Sequence, residues 1–230
     1  MEFLYLWLNL GSLSVPFLYS FHPKLKFYKK WPGLFLGIFT MMLIFIPWDI
    51  IFTNSGFWGF NETYFLGISL FNLPIEEWLF FICIPYACIF THYALLHYFP
   101  NMKLSNSITK KMSYLCFIVF MTLAIYNYDK WYTFVNFILA SILIVVVIKM
   151  NFNLLKSFYL TYLVMLIPFF IVNGVLTGSF IKDEVVWYND AENLGLRLFT
   201  IPIEDTIYAF TLILMTLFVM NLKGFKKHKG

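Results

Sequence analysis

Two short stretches of the chain set paired carboxylates at the head of apolar runs: Pro74-Ile75-Glu76-Glu77 in FNLPIEEWLFF (71–81), and Pro202-Ile203-Glu204-Asp205 in FTIPIEDTIYAF (199–210). Acids in a first helical turn satisfy free N–H groups and the positive end of the dipole, so capping is one reading. Asn72 and Thr200, each two residues before the proline, are candidate N-caps. One acid suffices for a cap, however, and both stretches carry two. The repetition favours chemistry, in which an acid and a base work in apolar surroundings. Neighbouring helical residues point about 100° apart, so at most one member of each pair can face the centre squarely. Glu76 and Glu204, which match without substitution, are expected to turn inward and move protons. Glu77 and Asp205 are expected to assist them.

Upstream of each pair lies a second echo. DIIFTNS (49–55) matches NGVLTGS (173–179), aligning Asp49 with Asn173, Thr53 with Thr177 and Ser55 with Ser179. Ionisable groups inside spans are rare and mark function. Asp49, Asn173, Thr53 and Thr177, with Trp48 beside Asp49, are therefore candidate substrate-binding residues. A duplicated polar motif fits a substrate with two similar ends, or a site that needs an acid from each half.

The elements that must position these groups follow from composition. The chain of 230 residues is 61% hydrophobic, 22% aromatic and 12% charged, with a mean hydropathy of +0.77. A soluble domain carries about 25% charged residues; this is the composition of an integral membrane protein. Runs able to span a hydrocarbon core of about 30 Å lie near 3–20, 33–52, 74–97, 112–127, 131–149, 158–176 and 201–221. The expected fold is an all-α membrane bundle of about seven helices. Two parallel three-helix repeats, 1–100 and 131–230, are joined by a linking segment, 101–130, that holds the fourth helix.

Charge orients the bundle. Lys24, Lys26, Lys29, Lys30, Lys103, Lys110, Lys111, Lys149, Lys156, Lys223, Lys226, Lys227 and Lys229 fall on one side, while Lys130, Lys182, Arg197 and every acid from Glu2 to Asp205 fall on the other. By the positive-inside rule the N-terminus is outside and the C-terminus cytoplasmic. The net charge of +4 reflects topology and gives no signal for nucleic acid. The first helix lacks a small-residue cleavage site, so it is not expected to be removed. Cys83, Cys88 and Cys116 sit within helices and are expected to be free thiols.

Absences narrow the chemistry. There is no glycine-rich nucleotide fingerprint and no Walker motif, no aspartate-rich diphosphate motif, and no lysine in the last helix for a retinal Schiff base. His92 and His97 are five residues apart and share no clean helical face, so no metal site is expected. On the residues alone, a small proton-coupled transporter using the paired acids stands beside an enzyme, with a membrane scaffold behind both.

The duplicated PIEE and PIED segments, with PWDIIFT (47–53) upstream, resemble the membrane-integral lycopene beta-cyclases of archaeal, fungal and some bacterial carotenoid pathways, in the fused two-repeat form. The resemblance covers nearly the whole chain and departs at Asn173 for Asp49 and Asp205 for Glu77, which fits unequal half-sites. It implies conversion of the acyclic psi ends of lycopene to beta-ionone rings, giving gamma- and beta-carotene. The implied route is protonation, carbocation ring closure and deprotonation, without flavin, nicotinamide or metal. The implied partners are lycopene, membrane lipid and other carotenoid-pathway enzymes, and the implied location is the cell (inner) membrane.

Overall fold

The apolar runs fold as helices because a backbone in lipid must satisfy its own N–H and C=O groups. The computed structural model describes residues 3–222; Glu2 and the lysines at 223, 226, 227 and 229 lie outside the described residues. Six α-helices follow one another in the described residues: α1 (Leu4–Tyr19), α2 (Trp31–Asn54), α3 (Ile75–Tyr98), α4 (Asn106–Tyr126), α5 (Trp131–Leu176) and α6 (Ile203–Met220). Of these, α2 to α6 are long and apolar enough to cross a membrane. With 16 residues, α1 falls short of the roughly 20 that a perpendicular span needs.

Two separate helices were expected at 131–149 and 158–176. The structure instead has one helical run of 46 residues, interrupted at Asn151 (φ −152°, ψ 58°). A straight helix of that length would reach about 70 Å. Yet Tyr132 near its start and Asn173 near its end both bond Asp205, at 2.6 and 2.8 Å. The run is therefore a hairpin of two limbs, and a single non-helical residue makes the bend where a longer turn was expected.

Short strands, not foreseen in the sequence, shape the loops. β1 (Trp58–Phe60) pairs antiparallel with β4 (Val186–Tyr188), with Gly59 opposite Trp187. The loop after α2 is thereby tied to the loop after α5. β2 (Ser69–Leu70) folds onto β3 (Leu73–Pro74), and β5 (Arg197–Leu198) onto β6 (Ile201–Pro202). The tips of these two hairpins hold Phe71 and Asn72 at φ 53° and 63°, and Phe199 at φ 59°. Such left-handed residues suit two-residue hairpin turns. Pro74 and Pro202, each with φ −54°, then serve as the N-cap positions of α3 and α6, without a side-chain cap.

The interior is packed by rings and aliphatic groups, with Leu34, Met41, Phe45, Phe81, Phe158 and Leu214 fully buried. Several hydroxyls among them are satisfied locally. Ser113, Ser141, Thr211 and Thr216 donate to the carbonyl one turn back, as hydroxyls in apolar helices do. α2 and α6 approach closely at Gly37, where a Cβ would lie 2.6 Å from the Thr216 carbonyl oxygen.

Candidate functional site

The acids sit where helix starts and loops meet. α1 and the first limb of α5 open with the same Tyr-x-x-x-Asn spacing, Tyr5 to Asn9 and Tyr132 to Asn136. Asn9 Nδ2 donates to the Glu76 carbonyl at 2.8 Å, and Asn136 Nδ2 to the Glu204 carbonyl at 2.7 Å. The Tyr5 hydroxyl donates to Glu77 Oε2, and the Tyr132 hydroxyl to Asp205 Oδ1 at 2.6 Å. Each pair of acids is thus gripped in the same way by the helix that begins its own half.

Within each pair the geometry exchanges the expected orientations. Glu76 Oε1 accepts the Leu66 backbone N–H at 2.8 Å. Glu204 Oε1 accepts the Leu194 N–H at 2.7 Å and the Thr133 hydroxyl at 2.6 Å. Both side chains are fully buried, and their carboxyls turn toward the loops rather than the centre. The cause is the small hairpin before each helix, which folds the preceding loop back over the first turn and presents an amide to the first acid. The second acid, about 100° further round, faces inward.

Glu77, Asp205, Asp49 and Asn173 line one cavity of about 70 Å³, walled by Tyr5, Trp58, Tyr132, Tyr188 and Tyr208 among others. Asp49 is 2% exposed, Asp205 5% and Glu77 8%. Asp49 Oδ1 accepts the Trp58 indole N–H at 2.6 Å and, weakly, the Thr53 hydroxyl at 3.4 Å. The Asp49 and Glu77 carboxyls face the same cavity, close enough for each to feel the other's charge, and Asp49 Oδ2 has no hydrogen-bond partner among the described residues. Asp205 Oδ2 accepts from Asn173 Nδ2 at 2.8 Å and from the Tyr188 hydroxyl at 3.0 Å. Burial first, and then the Asp205 charge, push the Tyr188 phenol well above its ordinary range, so it stays a donor. No Lys, Arg or His is among the described residues lining this cavity.

The remaining expected residues lie around it. Trp48 backs the wall, its ring 5.0 Å from that of Tyr208, with no lining surface of its own. Thr177 bonds Thr200 at 2.8 Å, and Thr200 also bonds Ser179 at 2.7 Å. These hydroxyls fasten the second hairpin and do not reach the cavity. Asn72 bonds Asn54 at 2.7 Å, so neither candidate N-cap acts as one. The capping places belong to the prolines because the residues before them are spent on the hairpin turns. His92 bonds Thr161 at 2.7 Å, joining α3 to α5.

The sequence reading passed over Tyr5, Trp58, Tyr132, Tyr188 and Tyr208. For two of them a signal existed in the repeated Tyr-x-x-x-Asn. The others sit among 15 tyrosines and 7 tryptophans, and only the fold selects them.

Comparison with known proteins adds the family. The lycopene cyclase family model matches residues 2–96 and again 129–222, one match for each acid pair. No curated protein and no solved structure matches the chain. The helices, the repeated grip on two acid pairs and the double match converge on one assignment: the chain belongs to the lycopene cyclase family and is a membrane-integral carotenoid cyclase.

Proposed function

We propose that the protein is a lycopene beta-cyclase in which Glu77 and Asp205, flanked by Asp49 and Asn173, move the proton that starts and ends ring closure. One observation carries this reading: three carboxyls, drawn from both halves, meet in one buried cavity with aromatic walls and no cationic side chain among the described residues that line it. Charges buried without a partner are costly. A proton held between the neighbouring Asp49 and Glu77 carboxyls relieves that cost and supplies the acid, the pair acting as one titrating unit.

The reaction balances without a redox partner. A proton adds to the terminal double bond of the acyclic end, and the resulting tertiary cation is captured by the neighbouring double bond, forming the ring C–C bond. Loss of a ring proton then leaves the beta-ionone double bond. The electron-rich faces of Tyr132, Tyr188, Tyr208 and Trp58 suit a passing cation. Asp205, already accepting three hydrogen bonds, suits the anionic base. Glu76 and Glu204 are positioning residues that lock each hairpin to its helix. An isomerisation of this kind calls for no flavin, nicotinamide or metal.

The architecture fits seven spans in two parallel repeats, 1–100 and 131–230, joined by 101–130. Counting α5 as two limbs and α1 as a tilted or partial span gives that number. The lysines from Lys24 to Lys30 and at 103, 110, 111, 149 and 156 belong to the end away from the acids, which supports a cavity toward the outer face of the cell membrane. Lycopene and membrane lipid are the expected partners, with other carotenoid-pathway enzymes nearby.

The test is cyclisation of lycopene by the purified protein in liposomes made up in D₂O, with no cofactor added. One deuteron carried into each new beta ring is expected. Rings formed without solvent deuterium, or a strict need for a cofactor, would contradict the mechanism.

A further inference from the structure

The acid cavity is smaller than the roughly 300–1,000 Å³ of ordinary ligand sites, and a polyene end group must reach it from lipid. Beside it lies an apolar groove of about 360 Å³, formed by α1, α3 and the second limb of α5. Phe80, Ile84, Phe169 and Asn173 line both spaces, so these side chains are the partition between them. The outer part of the groove carries Trp7, 64% exposed, and Gly11, where an added Cβ would meet nothing within 4 Å.

The corresponding region of the other half is filled. Counting from Tyr5 and Asn9 to Tyr132 and Asn136, Gly11 corresponds to Ile138, which packs against the core. Counting from Asn173 back to Asp49, Phe169 corresponds to Phe45, which is fully buried and edge-on to Tyr208 at 4.9 Å. α2 and α6 are also in close contact on that side, at Gly37.

We propose that the α1–α3–α5 groove is a lateral portal, through which an acyclic polyene enters from the bilayer and in which its chain lies while one end group occupies the acid cavity. Phe80 and Phe169 move aside to admit the end. The occupant is a polyene rather than a lipid acyl chain because the groove runs on into the acids through its own lining residues. This inference rests on the cavity being the cyclisation site.

Cys88 lines the groove and reports on its occupancy. In full-length protein carrying Cys83→Ala and Cys116→Ala, reconstituted in liposomes, N-ethylmaleimide labelling of Cys88 is timed with and without lycopene. Saturating lycopene should slow labelling by about tenfold or more. Separately, Gly11→Phe should lower conversion of lycopene by about tenfold or more by filling the groove, chiefly through KM. Leu43→Phe, on a lipid-facing position of α2 that is 60% exposed, should leave conversion unchanged. If wild-type protein makes rings while lycopene leaves Cys88 labelling unaltered, the portal is overturned and the cyclase reading stands; the groove then holds lipid alone. A fully active Gly11→Phe variant also overturns it. If lycopene protects Cys88 but no ring forms, the portal stands and the cyclase reading fails.

Discussion

Adjacent acids in this protein do different work, and substitution separates them. Glu77→Gln and Asp205→Asn keep size and much of the hydrogen bonding but remove the titrating group; each should lower cyclisation by about 10²–10⁴-fold, the usual contribution of a positioned acid or base. Glu76→Gln retains an oxygen for the Leu66 N–H and should stay within about tenfold of wild type. Glu204→Ala strands the buried Thr133 hydroxyl. It should cost about 1–3 kcal/mol of stability, read as a lower thermal midpoint in detergent. Tyr132→Phe removes one of three donors to Asp205. The loss of a charge-assisted bond worth about 1.5–3 kcal/mol should appear as a drop of about 10–100-fold in turnover, with the amount of membrane protein unchanged.

At the scale of elements, the helices were legible and the inward face of each acid pair was not. Apolar runs, prolines and the lysine pattern mark where helices begin and end, because span length and backbone satisfaction leave few alternatives. Which of Glu76 and Glu77 turns inward depends on a two-residue hairpin whose left-handed Phe71 and Asn72 carry no strong turn signature; neither position is glycine. The turn after 149 was legible, but its shortness was not, since the one residue Asn151 makes the bend in a run that is otherwise helical. Tyr188 and Trp58 reach the acids only through the pairing of β1 with β4, a long-range contact that local sequence does not encode. Close packing is where a single change should tell at this scale. Gly37→Leu forces a side chain into the Thr216 carbonyl, and overpacking of about 1–3 kcal/mol should reduce the yield of folded protein from the membrane.

For the whole molecule, the proposed topology sets an acid-rich end and a lysine-rich end on opposite faces of the membrane. In sealed vesicles, a membrane-impermeant maleimide should reach Asp183→Cys and Lys103→Cys from opposite sides; labelling of both from one side would contradict the topology. The two halves are alike in how they hold their acids and unlike in what surrounds them, with Asp49 beside the buried Phe45 and Asn173 beside the groove. That asymmetry suits a site in which the Asp49 and Glu77 carboxyls hold the proton and the single Asp205 carboxylate accepts it. The most direct measurement is pigment chromatography of a lycopene-accumulating host that makes, in parallel, wild-type protein and the Glu76→Gln, Glu77→Gln, Glu204→Gln and Asp205→Asn variants at matched membrane levels. The account predicts cyclic carotenoid from the wild type and from both variants of the first acids, with lycopene left unconverted by Glu77→Gln and Asp205→Asn. Full cyclisation by both of those variants, or unchanged lycopene with the wild type, would contradict it.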